Sequence, residues 1–265
     1  MVVILLALTC GFKKNTQVDL RPNLNAANDQ VLAIRPFTYI FRMLVIAVND
    51  SALKATHHSV IDSATVSLDA KNQQYTFLFH GKLSADSVIR TGAFTAMVDS
   101  GFYHKGSSIK FTFQGFTEDF RHVSGNDSLY CTGLVSGIYS YSNLISGAAI
   151  TKDSLRTIQF SASYQVTVDP HGILQGVSQT VSTFDGSSFG TSSAGYAFSS
   201  QTMKGLSLYE RCPWVCDGLI SFSIPAADIN SGTIAFSDKT CSDKISYDFG
   251  GNIYMQRIRE KDLYY

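Results

Sequence analysis

The chain has 265 residues, of which 45% are hydrophobic and 16% charged, so it can bury a core and is not expected to be disordered. Its 21 basic and 21 acidic residues cancel, which argues against a nucleic-acid-binding protein, because such proteins present a basic face. Three of the acidic residues are glutamates, whereas Phe, Tyr, Ser and Gly are abundant. This composition favours β-strands joined by tight turns over helices.

The chain begins with nine apolar residues, MVVILLALT, followed by Cys10. This run is too short to span a bilayer, which needs about 20 residues, but it fits the apolar part of a secretory signal. A cysteine at this boundary is typical of bacterial lipoproteins, so we expect residues 1–10 to be a signal and Cys10 to carry acyl chains such as palmitate. Such chains anchor a protein to a membrane, because each buried CH₂ contributes about 0.8 kcal/mol. The alternatives are an ordinary signal and a buried strand.

Residues 11–28 are polar and contain Pro22, which predicts a flexible tether. Residues 29–60 are predicted to contain a helix, because apolar side chains recur there at helical spacing. These side chains are Ile34, Phe37, Ile40, Phe41, Leu44, Val45 and Val48. Arg42 interrupts the run, so a membrane span is not expected. A helix packed on a sheet is preferred to one lying in a membrane surface.

Residues 61–265 read as a series of strands separated by Gly, Asn, Asp and Ser. Residues 158–168 give the clearest example, since apolar and polar side chains alternate along IQFSASYQVTV. Alternation indicates antiparallel strands with one buried face and one solvated face. The predicted fold is therefore all-β, an extended antiparallel meander or sandwich-like body with one N-terminal helix packed on it. A seam near residues 147–153 would divide this body in two.

Two further stretches carry a resemblance. Residues 92–116 (GAFTAMVDSGFYHKGSSIKFTFQGF) precede CTGLVSG, and residues 206–218 (LSLYERCPWVCDG) precede ISFSI and SGTIAFSDKTC. This arrangement resembles uncharacterised putative lipoproteins of the Bacteroidota over about residues 65–258. The resemblance implies an exported outer-membrane lipoprotein, on either the periplasmic or the surface face, and brings no assigned chemistry.

Four cysteines follow Cys10, namely Cys131, Cys212, Cys216 and Cys241. An exported protein meets an oxidising compartment, which permits disulfides. On a straight strand Cys212 and Cys216 would lie about 13 Å apart, too far to bond to each other. One bridge is therefore expected from this pair to Cys241, with Cys212 as the candidate partner and Cys131 as a buried thiol. No metal is assigned, because the spacing is not CxxC and no His pair lies nearby.

The step Asp-Ser-aliphatic occurs five times, which is the form of the O-glycosylation signal of exported Bacteroidota proteins. The candidate serines are Ser51, Ser63, Ser87, Ser128 and Ser154. The alternative is structural, since Asp and Ser commonly begin turns.

No catalytic residue and no cofactor is assigned, because the sequence contains no GxSxG, HExxH or nucleotide-binding loop. The densest cluster of ionisable residues is Glu118, Asp119 and His122, which we interpret as solvated charges at a turn.

Two functions remain. The preferred one is a non-catalytic binding or structural lipoprotein, on which Trp214, Tyr139 or Tyr141 stacks against a sugar or a partner protein. The alternative is a glycan-active hydrolase, which needs paired carboxylates in a groove.

Overall fold

The computed structural model describes residues 19–153, 156–237 and 239–258. The protein is mostly β, with one large antiparallel sheet of 14 strands and an N-terminal helix packed on it. The predicted fold class is therefore confirmed. Cys10 and Ser154 lie outside the described residues.

From residue 19 onward, two helices precede the sheet, α1 (Arg21–Asn49) and α2 (Ser51–Thr56). Helix α1 begins eight residues before the predicted start, so residues 21–28 are helical and not part of a tether. Pro22 explains the difference, because proline suits the first turn of a helix, where its missing N–H is not needed. Asp50 separates the helices and caps α2 by accepting hydrogen bonds from the N–H groups of Ala52 and Leu53.

Sixteen strands follow in chain order within the described ranges. They are β1 (His58–Ile61), β2 (Ala64–Asp69), β3 (Gln74–Leu83), β4 (Ile89–Val98), β5 (Ser108–Glu118), β6 (Arg121–Val135), β7 (Ile138–Asp153), β8 (Arg156–Asp169), β9 (Ile173–Leu174), β10 (Val177–Ser178), β11 (Val181–Thr191), β12 (Ala197–Tyr209), β13 (Val215–Ser223), β14 (Ser231–Phe236), β15 (Lys244–Phe249) and β16 (Asn252–Arg257).

Each strand of the large sheet pairs antiparallel with its neighbour in the chain, so the sheet is a simple meander. The short strands β9 and β10 form a separate hairpin between β8 and β11. Strand β7 continues through residues 147–153. Its pairing with β8 shifts register between Ile145 and Ala148 and again between Thr151 and Asp153, but persists between them, as with Ile150 opposite Ile158. The sheet is thus continuous at the predicted seam.

The sheet surrounds α1. Phe37 on the helix packs against Phe113 of β5 and Phe160 of β8, each with ring centres 6.0 Å apart. Phe41, one turn further along, meets Phe184 of β11 at 5.2 Å. Nearly every residue from position 26 to position 48 is buried. The helix is therefore the centre of the core, and the inner faces of the strands cover it.

In the part of the chain that the structure describes, this N-terminal helix is long and apolar enough to cross a membrane, by length and composition only. Those properties are compatible with a signal or an anchor. However, 89% of its most apolar 18-residue window is buried inside the protein. Its position is that of a core helix.

Candidate functional site

A buried ion cluster, formed by Arg35, Asp86, Arg90, Glu118 and Asp119, joins α1 to strands β4 and β5. Arg90 Nη2 lies 2.5 Å from Asp86 Oδ2, and Arg90 Nε lies 2.7 Å from Glu118 Oε1. Arg35 Nε reaches Glu118 Oε2 at 3.1 Å, and Arg35 Nη2 reaches Asp119 Oδ2 at 3.7 Å. Glu118 thus lies between two arginines, and all five side chains are buried.

The interpretation of Glu118 and Asp119 as solvated charges is wrong, and the hairpin between β5 and β6 gives the reason. Asp119 and Phe120 both have positive φ, 45° and 64°, as a two-residue primed turn requires. This backbone directs the Asp119 carboxylate inward, where it accepts a hydrogen bond from the N–H of Ile89 at 3.1 Å. Phe120 points to solvent, and His122 is exposed and outside the cluster.

The ion cluster is suited to structure and not to acid–base catalysis. Every carboxylate in it is buried and paired with an arginine, so none of them faces a space where a substrate could bind. Breaking such a buried network is costly, because it leaves an uncompensated charge in the core.

The cysteines form a second cluster. Cys212 and Cys241 are joined by a disulfide, the pair expected from the sequence. The Cys216 thiol is buried beside them, and the three sulfur atoms lie within 4.8 Å of one another. Burial raises the pKa of Cys216 to about 12, and its thiol donates a hydrogen bond to the carbonyl of Trp214. Cys131 is a buried free thiol.

The three predicted stacking residues do not share a surface. Tyr141 is completely buried, and its hydroxyl donates to the carbonyl of Phe102 at 2.8 Å, so its predicted role as an exposed platform is wrong. Tyr139 is half-buried against Tyr103. Trp214 is half-buried elsewhere, at the edge of a cleft beside α1. The side chains of β7 alternate, and the face that bears the tyrosines is the inner one.

The four candidate glycosylation serines that lie within the described residues differ in their exposure to solvent. Ser51 at the start of α2 and Ser128 on β6 are exposed. Ser63 and Ser87 lie half-buried in turns, where the Ser63 hydroxyl is hydrogen-bonded to Ser84. Glycosylation of these serines stays a prediction. Ser51 and Ser128 are the best candidates, because their side chains are the most accessible to solvent.

A groove of about 380 Å³ crosses the outer face of strands β7, β8 and β11, and we call it the Phe189 groove. Its side chains form two rows. In the first, Phe189 lies opposite Ser161, with Gly147 in a bulge of β7 beyond them. In the second, Thr191 lies opposite Gln159, which is paired with Ala149. The small residues form the floor, and Phe189, which is 64% exposed, forms the wall.

The sequence analysis did not identify Phe189, although the alternation of side chains along β11 indicates that it faces outward. Along β11 the side chains alternate without a break in the pairing to β8, so Phe184 and Phe189, five residues apart, face opposite sides. Phe184 is in the core, which places Phe189 outside. An exposed aromatic side chain among Ser, Gly and Thr was the available indication.

A narrow cleft, here called the helix cleft, lies between α1 and the strands from β12 to the end of β16. Its volume is about 20 Å³, and its lining is mostly apolar. It is lined by Val31, Ile34, Arg35, Thr38, Tyr39, Arg42, Leu208, Pro213, Trp214, Val215, Phe236 and Ile258.

No protein-family model matches this chain, and no curated protein or solved structure matches it either.

Proposed function

We propose that this chain is an exported, membrane-anchored lipoprotein that binds a saccharide at the Phe189 groove without catalysing a reaction. The observation that carries the proposal is the composition of the groove. An exposed aromatic ring faces a floor of small residues and is bordered only by uncharged polar side chains, Gln159, Ser161 and Thr191.

These groups match the chemistry of a sugar ring. The C–H face of a sugar stacks on an aromatic ring, as other apolar surfaces do. The amide of Gln159 and the hydroxyls of Ser161 and Thr191 both donate and accept hydrogen bonds, which suits sugar hydroxyls. The groove is also within the usual size of ligand sites, about 300–1,000 Å³.

Hydrolysis fits the groove less well than binding. Glycoside hydrolysis requires two carboxyl groups on either side of the bond that is cleaved. No Asp or Glu lines the Phe189 groove in the described part of the chain. The acidic side chains of the ion cluster are in the core and paired with arginine.

Export is supported by the Cys212–Cys241 disulfide, because stable disulfides form in oxidising compartments. It is also supported by the apolar run that precedes Cys10, and by the resemblance of the sequence to uncharacterised putative lipoproteins of the Bacteroidota. Labelling with a fatty acid tests the anchor. The wild-type chain should be labelled and Cys10→Ala should not, and equal labelling of both would disprove acylation at Cys10.

Binding is tested on a glycan array with the purified chain and two variants. Phe189→Ala should lose about tenfold or more in affinity for whichever saccharide the wild type retains, since stacking is lost. Phe120→Ala removes another exposed Phe, from the hairpin turn between β5 and β6 that does not line the groove, and should bind like the wild type. Retention of no saccharide by the wild type, or equal binding by all three proteins, would rule out this site.

A further inference from the structure

The Cys212–Cys241 disulfide lies in a small apolar cluster of its own, apart from the main core. Leu174, Tyr209, Cys212 and Cys216 form this cluster, and Cys241 packs against it. Cys212 and Cys216 are completely buried, whereas Cys241 is half-buried. Cys241 is therefore the half of the disulfide that is open to solvent.

A pocket of about 240 Å³ opens beside Cys241, and we call it the Cys241 pocket. It is lined by Leu174, Gln175, Val177, Gln179, Arg211 and Cys241. The hairpin of β9 and β10 contributes one wall, although it forms a two-stranded sheet of its own. Its Leu174 packs in the same cluster as the disulfide. The hairpin thus shapes a space next to Cys241 without extending the large sheet.

The polar groups of the Cys241 pocket suit a small anion. Arg211 is exposed, and no carboxylate within the described ranges forms an ion pair with it. A guanidinium binds a carboxylate through two parallel charge-assisted hydrogen bonds. Gln179 is buried, and its Oε1 accepts a hydrogen bond from the backbone N–H of Arg211 at 2.9 Å, which holds the backbone of Arg211 at the pocket. Gln175 adds an exposed amide, which both donates and accepts hydrogen bonds.

The backbone of Cys241 is unusual. Its φ of 49° lies in the left-handed region, which residues other than glycine seldom adopt. Strained residues of this kind cluster at functional sites, because the strain costs free energy. The volume of the pocket is just below the usual range of ligand sites, about 300–1,000 Å³, which restricts the ligand to a small molecule.

We propose that the Cys241 pocket binds a small thiol that carries a carboxylate, and that this thiol exchanges with the disulfide at Cys241. The carboxylate lies on the Arg211 guanidinium, and the sulfur, having lost its proton to water, attacks Cys241 Sγ as a thiolate. A bond forms between these two sulfur atoms, and the Cys212–Cys241 bond breaks. Its electron pair leaves on Cys212 Sγ, which takes up a proton. One disulfide replaces another, so the step needs no further oxidant or reductant.

Cys216 gives the mixed disulfide a second way to close. The sulfur atoms of Cys212, Cys216 and Cys241 lie within 4.8 Å of one another, so either buried thiol can attack Cys241 Sγ and expel the small thiol. Burial raises the pKa of Cys216 to about 12, so closure through Cys216 is slow at neutral pH, where few of its thiols are ionised. The site is separate from the Phe189 groove and does not depend on saccharide binding.

The exchange is tested on the purified full chain with β-mercaptopropionate and with β-mercaptoethanol, which has a similar size and no carboxylate. Samples are quenched with acid at successive times and alkylated with a maleimide, and peptide mapping by mass spectrometry locates the adducts. Rates are expressed per thiolate, because the thiolate is the nucleophile. We expect the carboxylate to raise the rate about fivefold or more, as a surface ion pair does. The small thiol should be found on Cys241 and the maleimide on Cys212.

Two variants locate the site. Arg211→Gln should abolish the preference for β-mercaptopropionate and leave the rate with β-mercaptoethanol unchanged, which shows that the variant is folded. Lys239→Gln removes an exposed cation that is two residues from Cys241 and does not line the pocket, and should retain the full preference. Equal rates of the two thiols with the wild type, or a disulfide that reacts with neither, would overturn the proposal. So would a preference that survives Arg211→Gln or is lost in Lys239→Gln, or an adduct of the small thiol on Cys212.

Discussion

The guanidinium carbon of Arg90 lies 3.3 Å from the centre of the Tyr39 ring. Tyr39 is on α1 and Arg90 is on β4, so this stacking contact fixes the helix against the sheet inside the core. Arg90 is completely buried and at the same time paired with Asp86 and Glu118. The core of this β protein is thus stabilised by buried ion pairs as well as by contacts between aromatic rings.

Replacing Arg90 with methionine should strongly destabilise the fold. Asp86 would lose its only described ion pair, and Glu118 would keep only the one with Arg35. Removing one partner of a buried ion pair typically costs about 3–5 kcal/mol. Urea unfolding of Arg90→Met against the wild type measures this loss.

The matched control is Arg257→Met, which removes an arginine that is 45% exposed and 3.8 Å from Asp243. A long contact made by a solvent-accessible arginine of this kind is worth about 1 kcal/mol or less. Similar losses in the two variants would contradict a special role for Arg90.

Asp127 should make stability depend on pH. Its carboxyl group is buried on β6, and burial raises its pKa from 3.8 to about 7, although Asn143 donates a hydrogen bond to it at 2.6 Å. The folded state therefore favours the protonated form. Its contribution to stability is complete below about pH 4, declines as pH rises to about 7 and is then constant, with a slope of at most about 1.4 kcal/mol per pH unit.

Asp127→Asn should remove this decline, because the amide is neutral at every pH. The variant should be more stable than the wild type at pH 8, and the difference between them should shrink towards pH 4. Urea midpoints of both proteins at several pH values provide the measurement. Parallel pH profiles would show that Asp127 does not titrate in this range.

The cysteine cluster should tolerate the loss of Cys212 by forming another bridge. Cys216 lies within 4.8 Å of Cys241, so Cys212→Ser should yield a Cys216–Cys241 disulfide under oxidising conditions. Peptide mapping by mass spectrometry identifies the bridge. Cys131→Ser should keep the Cys212–Cys241 bridge, and a Cys212→Ser protein with only free thiols would contradict the expectation.

A variant that can form neither the Cys212–Cys241 nor the Cys216–Cys241 disulfide should be less stable than the wild type. The Cys212–Cys241 disulfide closes a loop with a sequence separation of 29. By the chain-entropy model this loop is worth about 3–4 kcal/mol. Cys241→Ser, which removes the common partner, should therefore unfold at a lower urea concentration than Cys212→Ser.

Two glycines with positive φ should respond differently to substitution by alanine. Gly92 has a φ of 77°, and a Cβ there would lie 2.1 Å from the carbonyl oxygen of Gly115 on the next strand. Gly137 has a φ of 84°, but nothing lies within 4 Å of a Cβ. Both changes incur backbone strain of about 1–2 kcal/mol. Only Gly92→Ala adds a steric clash, which typically costs about 1–3 kcal/mol more. Thermal unfolding of the two variants measures the difference, and equal losses would mean that the sheet relaxes at Gly92.

Much of the architecture followed from local pattern. The alternation along β8 predicted its buried face, because successive side chains of a strand point to opposite sides. The apolar spacing around Phe37 predicted α1, although not its first two turns, where the sequence is polar. Tyr141 shows the limit of such reasoning. The pattern placed it on a common face with Tyr139, but only the pairing of β7 with β6 and β8 shows that this face is the inner one.

The sequence by itself determined that the chain forms antiparallel strands after one helix, since periodicity is a property of a few neighbouring residues. The tertiary structure alone decided that the helix is buried, that Glu118 and Asp119 face inward, and that Arg42 and Trp214 line the same cleft. Burial and charge pairing depend on residues far apart in the chain, such as Gln30 and Ser188, which are 158 positions apart and hydrogen-bonded at 2.8 Å. Local periodicity contains no information about such contacts, because they exist only once the strands are packed against the helix.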